Sequence, residues 1–336
     1  FELSGVGLEG EDSKRFKAIK EQLSLLSNQF SKNSLKATNE WIKIVELEEL
    51  KGYSETELAK IKTDKGYELN LQMPVYMDVM TYLDNRELRE EVYRAYASRA
   101  SEVGITSVDF DNKAIMDEIL ALRQEMADIL GFKNYAQLSI ESKMVESVDQ
   151  ILEFLTNLVQ KSKSQAQAEF DELSQFAGIV LQPWDLGFYS EQLKAKKFGF
   201  KKSDLTPYFP EQKVLEGLFS TIESLYKVKV QQIDESSYHN DVRVLEITSN
   251  NQLIGKIYLD LYARKDKRGG AWMADYQPLI GNEKPIAFVV CNLNSPSKGK
   301  PALFEFDEIV TIFHEFGHAL HHVLTKVKYP CAAGIS

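Results

Sequence analysis

Cysteine is scarce in this sequence. Cys291 and Cys331 are the only two, far apart and without a CxxC spacing, which argues against a disulfide framework. An excess of positive charge is lacking as well. With 40 Lys and Arg against 50 Asp and Glu, the formal charge is −10, so the basic footprint of a general nucleic-acid binder is missing. No apolar run reaches the roughly 18 residues a membrane span requires. There is no repeat at fixed period and no low-complexity linker. An initiating Met is also lacking. The chain opens Phe1-Glu2-Leu3 and reads as an internal piece of a longer frame, which leaves a targeting segment of the parent open.

What remains is ordinary soluble-protein composition. The 336 residues are 43% apolar and 27% charged, long enough for two or more packing units. The first two-thirds reads as helix after helix. In DSKRFKAIKEQLSLLSNQF, Phe16, Ile19, Leu23, Leu26 and Phe30 recur at three- and four-residue spacing, an amphipathic stripe that Asp12 or Ser13 would cap. DNRELREEVYRAYASRA and DNKAIMDEILALRQEMADILG behave the same way, the second stopping at Gly131. Ser147, three residues ahead of Gln150, has capping-box spacing and opens a further long helix.

After about Lys227 the period changes. Leu253, Ile257, Leu259 and Leu261 fall on one face of an alternating strand, with Ser249-Asn250-Asn251 as the turn before it. RKDKRGGAW and SPSKGKP read as loops and PIAFVVCNLN as a short apolar strand. From about Phe306 to Lys326 the pattern predicts a helix with a broad apolar surface. The expected fold class is therefore mainly α, with a small β insert just before the last helix.

That helix carries TIFHEFGHALHH, Thr311 to His322, with four of the five histidines. His314 and His318 are four apart, so their imidazoles stack on one helical face and can each give a nitrogen to a tetrahedral Zn²⁺. Glu315 sits about 100° round the helix, poorly placed as a ligand but well placed as general base toward a metal-activated water. His321, on the face of His314 and His318, reads as a neighbour of the metal site. His322 faces elsewhere and, with His239, reads as an ordinary surface histidine. Gly317 lowers helix propensity and leaves room behind the metal for another element or is simply tolerated. Ala287, Phe288, Val289 and Val290, on the preceding strand, are the candidate edge for holding an extended peptide. The metzincin pattern is excluded, because His321 and Leu324 stand where it needs Gly and His. The eighteen residues after His318 contain no Asp or Glu, so a downstream carboxylate ligand is missing from this stretch.

Read as FHEFGHALHH, the motif resembles the thimet-oligopeptidase (M3) family of metallopeptidases, whose hallmark is H-E-F-G-H followed shortly by another His. MTYLDNRELREEVYRAYASRAS, LQPWDLGFYSE, YLDLYARKDKRGGAWM and KGKPALFEFDEIVTIFHEFGHALHH extend the resemblance over essentially the whole chain. It implies an elongated, mostly helical zincin-type body with a deep channel that admits short unfolded peptides and cuts them internally, in the cytoplasm. His314 and His318 would hold the zinc and Glu315 would be the general base. The third ligand, a Glu on the following helix, and the tyrosines that steady the intermediate would lie beyond Ser336. Residues 1–78 would form an N-terminal helical segment and 79–336 the catalytic region, truncated before that ligand. The missing C-terminal part of the polypeptide would then be a partner, alongside short peptide substrates and neither nucleic acid nor membrane. Glu305 stands where the family leads one to expect a Thr cap. Two alternatives stay open: a dipeptidyl carboxypeptidase of the same family, and a catalytically inactive helical fragment.

Overall fold

The computed structural model describes residues 1–296, 301–327 and 329–334. In its first part the chain forms α1 (Gly10–Glu40), β1 (Ile42–Val45), α2 (Glu55–Ile61), β2 (Lys62–Thr63), β3 (Gly66–Asn70) and α3 (Met73–Tyr82). The helices α4 (Arg86–Ala97), α5 (Lys113–Ile129), α6 (Tyr135–Ile140), α7 (Val148–Ala177), α8 (Pro183–Phe198) and α9 (Glu211–Tyr226) follow. The strands β4 (Lys229–Ile233), β5 (Arg243–Ser249), β6 (Gln252–Tyr262), β7 (Trp272–Gln277) and β8 (Ile286–Leu293) precede the last helix, α10 (Phe306–Val323). The architecture is mainly α with a small β region ahead of the histidine helix, as the periodicity predicts.

The chain divides into two compact units, one of residues 1–42 and 86–189, the other of residues 43–85 and 190–336. Each is discontinuous in sequence, so the division expected at residue 78 does not coincide with a packing boundary.

In the first unit, α1 lays Ile19, Leu23 and Leu26 against Ile115, Leu122 and Met126 of α5. Of the stripe predicted for α1, Phe16, Ile19 and Leu26 are buried and Leu23 is half-buried, while Phe30 is exposed, and the helix begins at Gly10 with Glu9 as a cap that makes no side-chain bond. Gly131, at φ +80°, ends α5 by adopting the left-handed conformation that glycine takes without steric cost. Ser147 caps α7 as expected: its Oγ accepts from the backbone N–H of Gln150 at 3.1 Å.

The second unit is built on a five-stranded sheet of order β4-β5-β6-β8-β7. β4, β5 and β6 are antiparallel neighbours, β8 joins β6 in parallel, and β7 closes the order antiparallel to β8. Leu245, Ile257, Leu259, Ala287 and Val289 from this sheet are fully buried with Ile312, Phe316, Ala319 and Val323 of α10. From α9, Leu218 and Ile222 join the same core. A second, three-stranded sheet of order β1-β3-β2 lies in a segment whose sequence reads as helical.

Candidate metal and peptide site

The position of α10 is fixed at both ends. At its start Glu305 and Glu308 form a reciprocal capping box, so an acidic residue serves where a Thr is expected. Its charge is also favourable at a helix N-terminus. Glu305 in addition accepts from Tyr82 Oη at 3.1 Å and from Lys202 Nζ at 3.0 Å. Glu308 accepts from the backbone N–H and the Nδ2 of Asn294, at 3.1 and 3.2 Å, tying the chain that leaves β8 to the first turn of α10. Burial pushes the Glu308 carboxyl above its ordinary range, against the opposing backbone bonds from Glu305 and Asn294.

The helix then presents two faces. Ile312, Phe316, Ala319, Leu320 and Val323 enter the core, while His314 and His318 stand exposed. Their Nε2 atoms approach to 3.1 Å, with ring centroids 4.7 Å apart and planes at 89°. Tetrahedral zinc with Zn–N near 2.0–2.1 Å would place two ligand nitrogens roughly 3.3 Å apart, so this pair fits that donor set. Among the described residues no third His, Cys, Asp or Glu completes a cluster with them.

Glu315 lies at the border of the two faces and is 9% exposed. Behind it, burial and the charge of Glu315 push the Cys291 thiol up to about 12. His321 is exposed and Gly317 has open space where a Cβ would stand. No described element therefore uses the room that Gly317 leaves. His322 departs from the surface reading. It is 3% exposed, and its Nε2 donates to the backbone carbonyl of Gln277 at 2.9 Å. His239 is half-buried in its loop, its Nδ1 accepting from the N–H of Asp241.

The strand expectation needs correction. β8 is paired to β6 on one side and to β7 on the other. Ala287, Phe288, Val289 and Val290 thus spend their backbone groups within the sheet, and Ala287 and Val289 are fully buried. The edge beside α10 belongs to β7 instead. The alternation that reveals β8 in the sequence reports burial and says nothing of which strand is outermost.

The loop before β7 is held by a charged cluster centred on Asp260. Asp260, 1% exposed, accepts from both terminal nitrogens of Arg264 at 2.6 and 2.8 Å, from Lys267 Nζ at 2.8 Å and from Tyr238 Oη at 2.8 Å. Burial works to raise its pKa, but these donors outweigh it and hold the carboxyl below its ordinary value. Asn292 of β8 donates through Nδ2 to the carbonyls of Arg268 and Gly270 at 2.8 and 2.7 Å. Asp260 could have been noticed as the single acid inside an otherwise apolar strand end. A cavity of about 290 Å³, lined in part by Met77, Tyr82, Asn292, Asn294, Glu308 and Thr311, opens beside the first turns of α10.

Comparison with known proteins follows the same residues. Residues 79–336 match peptidase family M3. Oligopeptidase A of Escherichia coli (strain K12) is 46% identical over 355 residues, covering 100% of this chain and 52% of that protein. An Arabidopsis thaliana protein described as organellar oligopeptidase A, chloroplastic/mitochondrial, is 37% identical over 366 residues, covering 99% of this chain and 46% of that protein. The dipeptidyl carboxypeptidase of Escherichia coli (strain K12) is 32% identical over 352 residues, covering 99% of this chain and 51% of that protein. The chain spans about half the length of these relatives. It belongs to peptidase family M3.

Proposed function

We propose that this chain is the part of a zinc-dependent oligopeptidase that carries the metal-binding helix, within a protein that hydrolyses internal bonds of short unfolded peptides. The observation that carries the reading is the 3.1 Å approach of His314 Nε2 and His318 Nε2 on a helix whose next residue is a largely buried glutamate. His314 and His318 would hold Zn²⁺, which when bound would supply Lewis-acid polarisation of a peptide carbonyl and a nucleophilic water at neutral pH. Glu315 takes the proton from the attacking water and returns it to the leaving amine. The edge of β7 holds the extended peptide by backbone hydrogen bonds, the role expected of 287–290. His321 stands on the exposed face beside the metal ligands.

Catalytic zinc has three protein ligands, and the described residues supply two. The third is proposed to come from the remainder of the polypeptide, so residues 79–336 act as a catalytic region that is incomplete alone. The absence of a three-ligand cluster among the described residues favours a second reading for the isolated chain, that it binds zinc weakly and does not turn over. The likeness to a dipeptidyl carboxypeptidase keeps C-terminal trimming as the variant within the family. No helix of the described residues is long and apolar enough to cross a membrane, and a cytoplasmic location is part of the same proposal.

The test is Glu315→Gln in the full-length protein, with zinc content measured beside cleavage of a quenched fluorescent peptide. Zinc should stay and cleavage should vanish; retained turnover overturns the mechanism. A peptide with a blocked C-terminus separates internal cutting, which continues, from dipeptide trimming, which stops.

A further inference from the structure

The motif assigns nothing to His322, yet this is the one histidine of α10 that is both buried and bonded to another element. It lies four residues past His318, about 6 Å along the helix axis. Its Nε2 bond reaches the carbonyl of Gln277, the last residue of the edge strand β7. A carbonyl only accepts, so Nε2 carries the proton. On its other side the ring is confined by Gly334. A Cβ built there would stand 2.8 Å from His322 Nδ1 and 3.1 Å from its Cα, and Gly334 is held at φ +65°.

Gln277 is where β7 most needs such a support. The β7–β8 register runs from Asp275 opposite Ala287 to Gln277 opposite Ile286, leaving Tyr276 as an extra residue. A bulge of this kind interrupts the ladder and bends the strand, so pairing with β8 alone does not set the direction of the strand's end. The Gln277 side chain adds a local bond, donating to the Lys284 carbonyl at 2.8 Å. Beyond packing such as that of Met273 in the shared core, the bond to His322 refers the end of the strand to the helix carrying His314, Glu315 and His318.

We propose that His322 is a positioning residue: it fixes the end of β7 relative to α10, and with it the height of the peptide-holding edge above the metal ligands. It touches neither metal nor substrate. The proposal rests on the reading of β7 as the peptide-holding edge, and it deepens that reading.

The test uses His322→Phe, which fills the space without a donor, His322→Gln, which restores one, and Gly334→Ala, which displaces the ring from behind. All are made in the full-length protein, and zinc content is measured for each. Amide exchange of residues 272–277 should accelerate about tenfold in His322→Phe and Gly334→Ala while β8 stays protected, and should recover in His322→Gln. A peptide long enough to run the length of β7 should lose about tenfold in kcat/KM, mostly through KM, while a short peptide changes by no more than about twofold. Should His322→Phe not fold, the other two variants carry the comparison. Unchanged β7 exchange overturns the tether. Faster exchange with equal losses on long and short peptides overturns the positioning role. Wild-type protein that cleaves no peptide overturns the peptidase reading and the substrate half of this proposal together, and the exchange result still decides the tether.

Discussion

Val323, at the end of α10, occupies the space where a side chain of Gly255 in β6 would stand. A Cβ on Gly255 would lie 2.8 Å from Val323 Cγ1 and 2.6 Å from the Pro285 carbonyl oxygen. The histidine helix thus rests on the sheet through a contact that only glycine permits, and its depth against β6 is set there. Gly255→Ala must push either the helix or the backbone at Pro285 outward. Overpacking of this kind costs about 1–3 kcal/mol, which urea unfolding of the variant should show. A loss below a few tenths of a kcal/mol would mean that the helix slides freely and that Gly255 does not set its height.

A second prediction concerns the first unit. Arg89 and Asp185 are 1% and 0% exposed, and Arg89 Nη2 donates to Asp185 Oδ1 at 3.0 Å. Asp185 also accepts from Arg86 and from the backbone N–H of Gln182. Arg89 lies 4.0 Å from the Phe188 ring centroid and donates through Nε to the Trp184 carbonyl at 3.1 Å. Burial alone would raise the Asp185 pKa; the donors outweigh it and leave the carboxyl below its ordinary value. Arg89→Ala removes one charged donor while Arg86 stays paired with Asp185, so it should cost about 1.5–3 kcal/mol in urea unfolding. The sign with pH follows from the depressed carboxyl. Its contribution is present above the ordinary Asp range and is lost as pH falls through the lower folded value. Asp185→Asn should therefore be most damaging near neutrality and converge on the wild type in acid.

Much of this was legible in the sequence, for a physical reason. The stripe Phe16, Ile19 and Leu26 and the Ser147 cap are local patterns, and local patterns survive into the fold. The alternation of Ile257, Leu259 and Leu261 likewise found a strand. The strands between Ile42 and Asn70 were missed because two to five residues are too few to show a period of two. Which strand was outermost was missed because register is a relation between segments, and β7 is inserted beside β8 across the loop between them. In the sequence His322 reads as a surface residue because its partner is a backbone carbonyl 45 positions away, and backbone leaves no trace in composition. The histidine pair was legible because four-residue spacing on a helix is itself the geometry.

The thiols give an inexpensive check on the packing behind Glu315. Cys291 is fully buried and pushed up to about 12, first by burial and then by the charge of Glu315, whereas Cys331 is exposed. Only thiolate reacts with disulfide reagents. A native sample at pH 8 should therefore show one rapid thiol, and a second should appear only on denaturation. Two rapid thiols in the native state would show that β8 does not seal against α10 at this point.

Asp78 on α3 supplies a test through pH. It is 6% exposed and accepts from Lys60 Nζ at 2.9 Å. Burial raises its pKa to about 6, with Lys60 pulling the other way and Glu57 and Glu305 adding to the rise. An unfolded Asp loses its proton near 4, so between about 4 and 6 the folded chain binds the extra proton. Stability therefore falls as pH rises through that window and levels off above it. Two pKa units correspond to at most about 3 kcal/mol. Asp78→Asn has no proton to lose and should remove the slope. The replacement also deprives Lys60 of the carboxylate that does most to raise its pKa against burial. Lys60→Gln and the double variant Lys60→Gln/Asp78→Asn give the same comparison without that charge, and the slope should persist between them. Urea midpoints at pH 4, 5, 6 and 7 should show the variant gaining on the wild type by about 1–3 kcal/mol up to pH 6 and no further. Parallel curves across the window would mean that Asp78 titrates like an exposed carboxylate and that the α3 charge cluster is open to water.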